Sequence, residues 1–236
     1  MKKYLILLTL FLSYGVKAQT IEYLQKGDTL QKPYYQQFIF ICDSTDMASY
    51  KLVARIKATG SLKHTTNLYY SIKDAAQSKG ANAYKLESLK RLNATDSELI
   101  LSTYYVDGDF FNDNFKYIPK NKVFVFGNDD LTADKEQGYK VQGDKHTISS
   151  GQYKVFHIGE NDEIKVSKGG ITGMAYWFKR KEYGHSSFIT FSGFGINGAT
   201  ANPGYNGVGV SFNTGKINNV EPNLALFLVK IYEEKK

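Results

Sequence analysis

Between Tyr50 and Ala58 apolar and polar residues take turns. Leu52, Ala54, Ile56 and Ala58 fall on one side, Lys51, Arg55 and Lys57 on the other, and Val53 is the only breach. A period of two sends successive side chains to opposite faces, so the stretch predicts a half-buried strand. The period changes at Thr65. Leu68, Ile72, Ala75, Ala76 and Lys79 follow the i, i+4, i+7, i+8 spacing of one helical face. This predicts a helix over 65–79, with Thr65 or Thr66 as N-cap and Gly80 as a left-handed C-terminal cap. Strand patterns occupy Tyr34–Cys42, Ala83–Leu89 and Glu98–Val106. Strands around a single helix give a small α+β module over residues 34–106, preceded by a polar lead-in over 19–33.

Residues 107–121 break the pattern with Asp-Gly-Asp-Phe-Phe-Asn-Asp-Asn and later Pro119-Lys120-Asn121. A linker and domain boundary are expected there. Beyond it no helical period persuades. Candidate strands are Lys122–Phe126, Gly138–Val141, Gln152–Ile158, Glu163–Ser167, Gly173–Phe178, Ser187–Phe191, Gly207–Phe212 and Asn223–Tyr232. Gly159-Glu160-Asn161-Asp162, between two alternating runs, signals a hairpin. Short strands at close spacing predict a mostly antiparallel β-sandwich over 122–236, and a β-rich chain as a whole. An outer-membrane barrel is disfavoured by the amphipathic helix at 65–79 and the charged run Glu233-Glu234-Lys235-Lys236.

The first eighteen residues read differently. Lys2 and Lys3 precede an apolar stretch from Tyr4 to Val16, and Val16-Lys17-Ala18 sets apolar and small residues before Gln19. This layout predicts a signal peptide over 1–18 and export to periplasm, cell surface or medium. Thirteen residues are too few for a membrane-crossing helix, which needs about 20. Cleavage would remove Lys2, Lys3 and Lys17 and no acid, lowering the formal charge from +7 to +4. The remaining basic residues are scattered, with Lys179-Arg180-Lys181 the longest run, so the charge reads as solubility, with mild attraction to anionic surfaces as the minority reading, and no nucleic-acid partner is expected. Aromatic residues make up 14% of the chain, which suits strands.

The segment Ala75-Ala76-Gln77-Ser78-Lys79-Gly80-Ala81-Asn82-Ala83-Tyr84-Lys85-Leu86 resembles the helix-to-strand junction of small bacterial envelope α+β domains of the YbjQ-like and RcsF-like group. The match covers about a dozen residues, and it implies a fold rather than a chemistry. Val123-Phe124-Val125-Phe126, with Gly143–Gly151 and Gln152-Tyr153-Lys154-Val155, resembles PEGA-like β-sandwich modules of exported proteins. That resemblance implies an accessory or binding domain, not an enzyme.

Candidate chemistry is sparse. Cys42 ends the apolar run Phe38-Ile39-Phe40-Ile41, where a thiol is a buried hydrophobe, and a lone cysteine forms no internal disulfide. His64, His146, His157 and His185 share no metal-ligand spacing, and no Gly-x-Ser-x-Gly elbow occurs. No cofactor is expected, with calcium the exception to test: Asp107, Asp109 and Asp113 form the leading acidic loop, followed by Asn128-Asp129-Asp130 with Asp134, and Glu160 with Asp162 and Glu163. Tyr176-Trp177-Phe178 holds the only tryptophan, and in a strand Trp177 faces away from its two neighbours. Tyr205 sits in the glycine-rich stretch 193–215. Trp177, Tyr176 and Tyr205 are therefore the candidate ligand contacts, since aromatic faces stack on sugars. The expectation is an exported bacterial cell-envelope protein with a non-catalytic binding or structural role and an envelope protein or glycan as partner. The alternative is a carbohydrate-binding or carbohydrate-active protein using the C-terminal aromatics.

Overall fold

A computed structural model describes residues 19–27, 38–48, 50–106, 108–169, 173–182, 184–191 and 217–236, without the side chains of 108–111. The signal-peptide segment 1–18, residues 34–37 of the first expected strand, the strand at 207–212, Tyr205 and Asp107 lie outside the described residues, as does the side chain of Asp109.

The chain is β-rich, in three mostly antiparallel sheets. The first sheet takes β1 (Thr20–Lys26), β2 (Ile39–Phe40), β3 (Lys51–Ser61), β4 (Ala83–Arg91) and β5 (Asp96–Tyr105) in the order β1-β3-β5-β4-β2, with only the β2–β4 pair parallel. The remaining strands are β6 (Lys122–Phe126), β7 (Gln137–Val141), β8 (Asp144–Ile148), β9 (Gln152–His157), β10 (Glu163–Lys168), β11 (Met174–Lys179), β12 (Ser187–Thr190), β13 (Asn218–Asn219) and β14 (Glu233–Glu234). A four-stranded sheet runs β11-β10-β7-β8, antiparallel throughout. A third runs β13-β12-β6-β9-β14, in which β12 lies parallel to β6 and β14 to β9.

Alternation explains β3. Ile56 and Ala58 are fully buried while Arg55 and Lys57 point outward. The breach at Val53 is a bulge: the register with β5 shifts between Leu52 and Ala54, and Val53 and Ala54 are both buried. Helix α1 (Thr65–Gln77) lies on the inner face and buries Leu68, Tyr69, Ile72 and Ala76. Its end follows the expected device. Gly80 has φ +89°, its N–H reaches Gln77 O, and the Ala81 N–H reaches Ala76 O, the paired bonds of a Schellman cap. Its start does not. Neither threonine is the N-cap: His64 holds that position without a side-chain bond, Thr65 Oγ1 donates to Leu62 O, and Thr66 Oγ1 donates to Asp129 Oδ2 at 2.7 Å.

Three expectations are corrected. The stretch 20–26 within the lead-in is an edge strand. Residues 108–115 of the expected linker form helix α2 (Gly108–Phe115), whose buried Asn114 accepts from Cys42 N and Thr45 Oγ1 and donates to Phe40 O, each at 2.8 Å. The expected strand at 223–232 is instead helix α3 (Pro222–Ile231). Glu221 caps α3, its carboxylate accepting from Asn223 N and Leu224 N at 3.1 and 2.7 Å, and Pro222 opens the first turn. The helix was hidden because Leu224–Leu228 are all buried, so no face of it is polar enough to show a period.

Helix α3 is the keystone of the largest apolar cluster. That cluster joins Ile56, Leu99, Leu101 and Tyr84 of the first sheet to Ile72 of α1, Phe227 of α3, and Phe124, Phe126 and Phe188 of the third sheet. Tyr84 Oη donates to Asn223 O at 2.6 Å and the Phe40 N–H donates to Asn223 Oδ1 at 3.0 Å, tying the start of α3 to β4 and β2. A second cluster joins the four-stranded sheet (Tyr139, Val141, Ile148, Ile164, Val166) to Val123, Val125 and Ile189 of the third sheet.

Candidate binding surface

Inward packing of the four-stranded sheet decides what its other face shows. Register pairs Trp177 with Lys165, Glu163 with Lys179, Ser167 with both Ala175 and Lys140, and Lys140 with Lys145. Paired residues share a face, so Lys140, Lys145, Lys165, Trp177 and Lys179 all stand on the outer side. All five are exposed, Trp177 at 53%. The Lys165 ammonium lies 5.1 Å from the centre of the indole, a cation–π contact that steadies the ring. Tyr176 and Phe178 turn the other way and pack against the second apolar cluster, with Met174 beside them. Of the expected aromatic contacts, then, Trp177 faces solvent and Tyr176 supports the sheet from beneath.

Five of the candidate acids, Asp113, Asp129, Asp130, Glu160 and Glu163, are engaged with protein groups. Asp113 pairs with Lys116 at 2.9 Å. Asp129, only 2% exposed, accepts from Thr66; burial pushes its carboxyl above the ordinary range, outweighing that bond and the positive field of His64. Asp130 accepts from Thr132 N at 3.1 Å, from Thr132 Oγ1 at 2.5 Å and from Lys135 at 3.4 Å. These bonds overcome its burial and hold its carboxyl below the ordinary range. Glu160 pairs with Arg180 and Glu163 with Lys179. Among the described residues no group of three or more His, Cys, Asp or Glu side chains is placed to hold a metal ion.

Nucleophile and imidazole candidates take structural places. Cys42 is buried, and desolvation, aided by the neighbouring charge of Asp43, pushes its thiol up to about 11, so little thiolate forms at neutral pH. His146 stacks on Tyr139 at 5.5 Å and meets the edge of Phe156, while His185 sits against Phe115. His64 and His157 are exposed. Among the described residues no helix is long and apolar enough to cross a membrane.

The lysines of the outer face were missed in the sequence because they arrive from four strands spread over 40 residues. Each sits at an outward position of an alternating strand, and only the strand register makes them neighbours. No family model, curated protein or solved structure matches the chain, so the resemblances at 75–86 and in the C-terminal half rest on the quoted segments alone.

Proposed function

We propose that this chain is an exported, non-catalytic binding protein of the bacterial envelope that holds a carbohydrate on the outer face of its four-stranded sheet. In this reading residues 1–18 are the export signal, the first sheet with α1 is an α+β module, and the two later sheets pack as a β-sandwich that carries the ligand. The observation that carries the proposal is Trp177. A tryptophan is on average a well-buried residue, yet this one stands 53% exposed in the middle of a regular strand whose adjoining aromatics are turned inward. It is braced by Lys165 from the paired strand. An indole held open on a sheet is suited to stacking against the C–H-bearing face of a sugar ring.

Affinity electrophoresis through gels containing soluble polysaccharides tests this. The protein is expected to be retarded by at least one of them, and Trp177→Ala, folded by circular dichroism, is expected to lose the retardation. No retardation by any polysaccharide, or a Trp177→Ala protein retarded like the parent, would refute the proposal.

A further inference from the structure

We infer that the polymer held on this face is anionic, a polysaccharide bearing carboxylate or sulfate groups. The inference rests on the binding role proposed for Trp177. It is carried by a contrast between two sheet faces of the same molecule. The outer face of the first sheet carries three acids among its cations: Arg55 pairs with Glu87 at 2.6 Å, and Lys57 pairs with Glu22 at 2.6 Å and reaches Glu98 at 3.8 Å, while Lys85 and Lys90 share that face without an ion pair among the described residues. On the outer face of the four-stranded sheet the balance is absent. Lys140, Lys145, Lys165 and Lys179 share the face with Glu163, and that acid already pairs with Lys179 at 3.3 Å. Lys140, Lys145 and Lys165 make no ion pair with any described carboxylate.

Lys140 and Lys145 are, moreover, directly opposite one another across β7 and β8. Like charges in that relation destabilise a sheet, and an anion lying between them removes the repulsion. Neighbouring strands are about 4.8 Å apart and alternate residues along a strand about 6.6 Å, so the attachment points of these lysines recur every ~5–8 Å across the face. A flexible chain carrying an acid on each repeat can engage several of them at once, while Trp177 takes one sugar ring. Each exposed contact is weak, but a polymer held at several points gains by effective concentration.

Other polyanions fit less well. Single-stranded nucleic acid is gripped by successive bases stacking on several aromatics, and among the described residues Tyr176 and Phe178 are turned into the core, leaving Trp177 as the one aromatic on this face. A bilayer needs apolar residues to enter it, and the outward positions beside Trp177 are Ala175, Ser167 and lysines.

The test uses the full chain, polygalacturonate as the anionic probe and dextran as the neutral one, at low and high salt. Three variants are compared: Trp177→Ala, the double variant K140Q/K145Q, which leaves the Lys165 brace in place, and a control double K63Q/K90Q that removes the same charge from other exposed positions. The parent is expected to bind polygalacturonate at least about tenfold more tightly than dextran at low salt and to lose that advantage at high salt. K140Q/K145Q should lose most of the preference, the control double should keep it within about twofold, and Trp177→Ala should weaken both probes. If K140Q/K145Q binds like the parent, or the control double loses as much, the face is not the anion site. Tighter binding of single-stranded DNA or of phosphatidylglycerol vesicles than of polygalacturonate would also overturn the inference. Trp177-dependent binding of dextran without anionic preference refutes this inference and leaves the carbohydrate reading standing. Polygalacturonate binding indifferent to Trp177→Ala refutes the carbohydrate platform itself.

Discussion

Truncating Phe227 to alanine should unfold both ends of the chain together. Phe227 lies in the middle of α3 with no exposed surface, and its ring stacks on Tyr69 of α1 with centroids 5.3 Å apart. The cluster around it holds Ile56, Leu99 and Leu101 from the first sheet and Phe124, Phe126 and Phe188 from the third. Removing a buried phenyl ring forfeits its transfer energy and leaves a cavity, and backbone held by two sheets cannot collapse to fill it. Phe→Ala substitutions of this kind cost about 3–5 kcal/mol, against a total stability on the order of 5–15 kcal/mol for a domain. With a urea slope of roughly 2–3 kcal/mol per molar, the midpoint should fall by about 1–2 M.

The assay is urea titration followed by two probes. Far-ultraviolet circular dichroism reports the whole chain. Fluorescence reports the four-stranded sheet, because Trp177 on β11 is the only tryptophan. If the shared cluster couples the sheets, both probes shift by the same amount, since coincidence of probes is the mark of one cooperative unit. A fluorescence midpoint that stays at the parent's value while the dichroism midpoint falls would refute the coupling and leave 107–121 as a boundary between independently stable parts. A fall of less than about 0.3 M in both would refute the packing role given to α3.

Two further outcomes are expected. Cys42 should resist iodoacetamide at pH 8 in the folded protein, with its thiol raised to about 11 by burial, and react once urea exposes it; rapid modification of the native protein would place it at the surface. Asp129 has its carboxyl raised on folding, so its contribution to stability is greatest below the unfolded value near 3.8 and is lost as pH rises through the folded value. Asp129→Asn, which still accepts from Thr66, should therefore raise the urea midpoint at pH 7 and gain little at pH 3.5; a lower midpoint at pH 7 would show that the charge favoured by the nearby start of α1 outweighs its burial.

How much of this was legible depended on whether one periodicity sufficed. The alternation of β3 and the spacing of α1 each describe an element with one wet and one dry face, so local pattern and structure agree, down to the bulge at Val53 and the cap at Gly80. Helix α3 has no such contrast. Its only local signs were Pro222 at the first turn and a carboxylate at Glu221, set against five consecutive buried residues that read equally well as a core strand. Helix α2 hid behind Asp, Asn and Gly, residues that ordinarily mark turns, because what holds it is a distant partner: Asn114 satisfies the backbone at Phe40 and Cys42. Strand β1 is an edge, exposed along most of its length, and edges do not need the apolar alternation that betrays a central strand.

The lysine face is of a different kind, since nothing local encodes it. Lys140, Lys145, Lys165 and Lys179 are each unremarkable outward residues, and their meaning arises from pairing. A slip of one residue between β10 and β11 would set Trp177 across from a core-facing residue and take Lys165 off its ring. That register is fixed from beneath, where Ile164 and Val166 on β10 meet Phe178 and Tyr176 on β11 and pack toward Val123, Val125 and Ile189. Tyr176, expected as a ligand contact, and its neighbour Phe178 instead hold the proposed binding face in register. By locking the strands in place they keep one indole and four ammonium groups on a single surface, where the same residues displaced by one position would be divided between the core and the solvent.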